Sequence, residues 1–204
     1  MARKSLVLQL ALATITGMPM VAMIIDHYSE TVNLAGMLYG KTSFIRQILI
    51  GLASGAIIAL IARLIVSSPL LKNINVQYAN MFGRFRLGWS EIIFISMCAG
   101  VGEEILFRGA LQPLIGIIIT SFVFVGIHGY ISPYNWRLSI YGLYMTAAIC
   151  LIGYFAETEG LISAIIAHTV IDVYLLHYMQ KLAGQIPITE NHHLTDIPED
   201  EPEE

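Results

Sequence analysis

The chain has 204 residues, of which 56% are hydrophobic and only 13% charged, with a mean hydropathy of +0.68. A soluble domain carries about 25% charged residues, so this composition excludes a water-soluble globular fold. No basic stripe interleaved with aromatics occurs, which leaves nucleic-acid binding without support. The formal net charge of -4 belongs to the C-terminal end: from Gln180 onward seven acids face Lys181 alone, whereas the other 179 residues hold ten Lys or Arg against eight acids.

Taken in chain order, Arg3 and Lys4 precede an apolar stretch from Leu6 to Ile25. That run is too long for the apolar core of a signal peptide and predicts an uncleaved first membrane span. Asp26 to Lys41 reads as a mixed loop, and Phe44 to Val66 as a second span. The longest interior polar stretch is Ser67 to Gly88. A third apolar segment runs from Trp89 to Leu111 and is expected to end at Pro113. Leu114 to Ile131 is the predicted fourth span, Leu138 to Phe155 the fifth and Leu161 to Met179 the sixth. The acidic, proline-punctuated segment 181–204 is expected to be disordered. The expectation is thus an all-α, polytopic helical bundle over residues 1–180, with its chemistry in 89–179.

Lys and Arg accumulate on the cytoplasmic side of membrane proteins. With both termini inside, that side receives Arg3, Lys4, Arg63, Lys72, Arg84, Arg86, Arg137 and Lys181, and the outside only Lys41 and Arg46. Six spans with both termini cytoplasmic is the predicted topology. Cys98 and Cys150 lie inside apolar runs with no pairing pattern and read as small helix hydrophobes.

Charge inside a bilayer costs at least a few kcal/mol per residue and persists where it is paired, wet or functional. The exceptions here fall on three segments: Glu103, Glu104 and Arg108 in the third, His128 in the fourth, and His168 and Asp172 in the sixth. Glu104 and Arg108 are four apart and share a helix face, as do His168 and Asp172. Glu103 is rotated by about 100° from Glu104, so one carboxylate can be held by arginine while its neighbour stays available as a base. Gly100, Gly102 and Gly109 would let another backbone approach. Such a set can also tie three helices together without chemistry. An unpaired glutamate, two histidines and a further carboxylate are, however, what activating water and stabilising an oxyanion require. His27, His177, His192 and His193 sit in loops, at a span end or in the tail, and Glu91 near an interface. Tyr130, Tyr134, Trp136, Tyr141 and Tyr144 read as an interfacial aromatic belt, some of which could line a substrate entrance.

The pattern resembles the CPBP (Abi) group of intramembrane proteases, which includes the type II CAAX prenyl endopeptidases. Their marks E-E-x-x-x-R, F-x-x-x-H and H-x-x-x-N or H-x-x-x-D read here as Glu103-Glu104-x-x-x-Arg108, Phe124-x-x-x-His128 and His168-x-x-x-Asp172. The resemblance implies an intramembrane endopeptidase in which Glu103 and His128 activate water, His168 and Asp172 stabilise the tetrahedral intermediate, and Glu104, Arg108 and Phe124 support them. It implies chemistry without a cofactor, or else a Zn²⁺ ion on Glu103, His128 and His168. An ionised Asp172 would repel an oxyanion, so it must either stay protonated or orient His168. Straight helices turning at Pro113 pose a geometric difficulty. Nine residues separate Glu103 from Pro113 and fourteen separate Pro113 from His128, a depth mismatch on the order of 8 Å. The implied partner is a membrane-associated protein or peptide substrate, and the implied location a bacterial plasma membrane. A non-catalytic bacteriocin-immunity protein on the same scaffold, or a transporter or proton relay, are the competing readings.

Overall fold

The computed structural model describes residues 2–185. Most of the segment predicted to be disordered, with Glu190, His192 and His193, lies outside the described residues. Helices joined by short loops make up the described residues, with no strand among them.

Helix α1 spans Ala2–Tyr28, a short α2 Leu34–Tyr39, and α3 Phe44–Val66. Helix α4, Lys72–Gly83, occupies most of the interior polar stretch Ser67 to Gly88, where no helix was expected. Helix α5, Trp89–Glu104, runs without a break through a π-helical segment, Ile105–Leu111, into α6, Gln112–Ile115. Helix α7 is Ile117–Ile127, α8 Trp136–Thr158 and α9 Leu161–Ala183.

Four helices are long and apolar enough to cross a membrane: Lys4–Tyr28, α3, α8 and α9. Large apolar side chains such as Ile45, Leu49, Leu64 and Leu143 stand exposed on them. Exposure on that scale suits hydrocarbon as the solvent, and the chain is an integral membrane protein. Helix α7, at 11 residues, is shorter than the predicted fourth span and below the roughly 20 residues a crossing requires.

Helix α9 is the central post, packed against α3, α4, α5 and α8. Small residues allow this. A Cβ added to Gly55 on α3 would lie 2.6 Å from the Ala167 carbonyl oxygen and 2.9 Å from its Cα, and one on Gly102 would lie 2.6 Å from the Thr14 carbonyl oxygen of α1. Backbone cannot yield as a side-chain tip does. Gly55→Val is therefore expected to force α3 off α9 and to cost about 1–3 kcal/mol, read as a lower midpoint of thermal unfolding in detergent.

One end of the bundle is closed by a polar knot. Arg46 Nε and Nη2 donate to the two carboxylate oxygens of Glu159 at 2.9 and 3.0 Å, while the Glu159 carbonyl accepts from the Lys41 and Thr42 amides. Those hydrogen bonds from Arg46 hold the Glu159 carboxyl below its ordinary range. A group whose folded-state pKa is lowered stabilises the fold above its unfolded-state pKa and loses that contribution as pH falls through the folded-state value. Acidification into and below the ordinary carboxylate range is thus expected to loosen the 40–43 loop, seen as faster amide exchange there than in Glu159→Gln measured against its own neutral-pH rate.

Candidate active site

The site grows from three segments that meet at the centre of the bundle. On α5, Glu104 turns inward and is fully buried, as is Arg108 one turn later in the π-helical segment. Arg108 Nη1 lies 3.1 Å from Glu104 Oε1, and its guanidinium stands 4.5 Å from the centre of the Phe124 ring. A buried arginine persists only when its charge is met, and here a carboxylate and an aromatic face meet it. The same Glu104 Oε1 accepts a hydrogen bond of 2.7 Å from His168 Nδ1 on α9. Sequence spacing gave the first of these partners but not the second, because a contact between residues 104 and 168 leaves no periodic trace.

Glu103 faces elsewhere, as the rotation about the helix requires. Its Oε2 is buried without a hydrogen-bond partner and lies 3.4 Å from His128 Nε2. The spacing F-x-x-x-H has a direct physical meaning. His128 Nδ1 lies 2.7 Å from the Phe124 carbonyl oxygen, which can only accept, so Nδ1 carries the proton and Nε2 is turned to Glu103. The Phe124 ring stacks on His128, with centroids 4.4 Å apart, and meets Phe107 and His168 edge-on. On α9, His168 Nε2 lies 3.5 Å from Asp172 Oδ2. With Nδ1 committed to Glu104, Nε2 is the nitrogen left to face Asp172.

The depth mismatch expected between Glu103 and His128 does not arise, because the turn is not at Pro113. The proline ring crowds the carbonyl four residues back, and the wider π-helical turns take this up, as such segments often do at functional sites. The helix continues to Ile115 and breaks at Gly116, whose φ of 81° suits glycine. Counted from Gly116, twelve residues intervene before Glu103 and eleven before His128. At about 1.5 Å per residue the two side chains reach nearly equal depth.

Glu103, His128, His168 and Asp172 all line one cavity of about 280 Å³, whose remaining wall is mostly apolar. Tyr130 and Tyr141 belong to that wall, whereas Tyr134 and Trp136 are exposed, so the aromatic group divides between the cavity and the surface. Helix α4 supplies Ile74, Asn75, Tyr78 and Phe82 to the wall. These were missed at the sequence level, although Ile74, Tyr78 and Phe82 recur every fourth residue, the signature of a buried helix face. Among the described residues no three His, Cys, Asp or Glu side chains are gathered as a metal-holding set. Of the trio that Zn²⁺ would need, Glu103 and His128 face each other at 3.4 Å, whereas His168 is turned to Glu104 and Asp172. Cys98 and Cys150 are free thiols.

A helical membrane protein with an acid–histidine centre opening on an apolar cavity is the class that fold and site define. Residues 85–174 match the family model described as type II CAAX prenyl endopeptidase Rce1-like. That stretch contains all three motifs and bears out the resemblance to the CPBP and CAAX protease family. The chain is also 39% identical over 84 residues to the uncharacterized protein YpbD of Bacillus subtilis (strain 168). The aligned part covers 40% of this chain and 42% of that protein, so the chain spans less than half of its relative's length. No solved structure matches the chain.

Proposed function

We propose that this protein is an intramembrane endopeptidase that hydrolyses a peptide bond of a membrane-associated protein or peptide at Glu103. The observation that carries the reading is the contrast between two adjacent carboxylates. Glu104 is committed to Arg108 and His168, while Glu103 has no arginine or lysine at ion-pair distance and faces His128 Nε2 in a cavity.

Glu103 accepts a hydrogen bond, and so does His128 Nε2 whenever it is unprotonated; together they can then hold the two hydrogens of one water. The water oxygen attacks the peptide carbonyl carbon as Glu103 takes its proton, a general-base step. His168, fixed through Nδ1 by Glu104, offers Nε2 to the developing oxyanion, which it serves as a donor when that nitrogen is protonated. Asp172, 3.5 Å from the same Nε2, favours the protonated ring at rest and must give up that nitrogen to the oxyanion once substrate is bound. Collapse of the intermediate breaks the C–N bond, and the proton held by Glu103 passes to the departing nitrogen.

The same reading includes six helical passes, with the continuous α5-to-α6 rod as the third and α7 as the fourth, deep-set arm. Both termini are then cytoplasmic, supported by the bias of Lys and Arg, in a bacterial plasma membrane. The test is cleavage of a membrane-peptide library by the purified protein in nanodiscs, with and without a chelator. Cleavage at apolar sequences is expected, and the chelator arm reports whether an ion takes part. Tight peptide binding without cleavage would favour an immunity protein on this scaffold.

A further inference from the structure

Helix α4 forms a wall of the same cavity, yet it lies outside the stretch that matches the family model. One side chain on it is out of keeping with the apolar wall. Asn75 is 7% exposed and is the single carboxamide that lines the cavity. Its Nδ2 donates to the Tyr178 hydroxyl at 3.0 Å, and that hydroxyl is shared with Ser67 Oγ at 3.0 Å. Its Oδ1 is buried and has no hydrogen-bond partner. Buried amide oxygens are nearly always paired, and turning the carboxamide over would leave one of its ends unpaired all the same. A peptide backbone offers the complementary group, since each N–H is an obligatory donor.

We infer that Asn75 positions the substrate in the cavity by accepting a hydrogen bond through Oδ1 from one backbone N–H of the peptide, with Tyr178 holding the carboxamide in place. The inference rests on the protease reading above. It assigns substrate alignment to α4, which contributes none of the four ionisable groups.

The experiment uses the full chain in nanodiscs and the peptide that the wild-type protein cleaves best. Each amide flanking the cut is replaced in turn by an ester, which deletes one N–H and leaves the chain length intact. Asn75→Ala is expected to raise KM about three- to tenfold with kcat within about twofold. At one ester position, wild type and variant are expected to have equal KM, because the lost donor and the lost acceptor are the same bond. A loss of equal size on every analogue would mean that Asn75 only braces α4, and no loss on any would mean that it does nothing for substrate. Either overturns the inference while the protease reading stands. Wild type that cleaves nothing would remove both. Should Asn75→Ala fail to fold, Tyr178→Phe is read in the same way, with a smaller rise in KM at the same ester position.

Discussion

Glu103→Gln is expected to lower kcat for peptide hydrolysis by about 10²- to 10⁴-fold, the usual worth of a general base, with KM and thermal stability little changed. The reason lies in what Glu103 does not do. Its buried Oε2 makes no hydrogen bond, no arginine or lysine pairs with it, and His128 Nε2 stands 3.4 Å away. Removing its charge therefore strands no partner, and the fold has no reason to change. Glutamine keeps the shape but cannot take a proton from water.

Arg108→Met is expected to do the opposite, costing about 3–5 kcal/mol of stability. Arg108 and Glu104 are both fully buried, so losing the guanidinium leaves a carboxylate inside the bundle with only His168 against it. The double variant Glu104→Gln with Arg108→Met removes both charges, and it is expected to recover most of that loss. Unfolding in detergent, followed by circular dichroism, measures both. Activity of the double variant should remain low, because His168 Nδ1 then lacks the anion that fixes it.

These two expectations separate because neighbouring glutamates have different surroundings, and that much was legible in the sequence. Residues 103 and 104 lie about 100° apart on a helix, and Arg108 is one turn from only one of them. The membrane class and the bounds of α3 were equally plain, since a long apolar run charged only near its ends, at Arg46 and Arg63, admits few structures. Three features were not legible. The turn at Gly116 was hidden behind Pro113, a stronger local stop signal, because the π-helical segment that absorbs the proline leaves no sequence pattern. Helix α4 was hidden by Lys72, Arg84 and Arg86, which flank its apolar face and make the whole stretch read as polar. The link from Glu104 to His168 joins residues 64 positions apart and exists only once α5 and α9 pack, with Gly100 facing Ile165 and Thr169 at their contact.

The most direct test of chemistry at Glu103 is cleavage in H₂¹⁸O by wild-type protein and Glu103→Gln, purified side by side and matched for folding. Wild type is expected to place ¹⁸O in the new C-terminal carboxyl group, and the variant to yield almost no product. Equal product from both would contradict the assignment and move the chemistry away from Glu103.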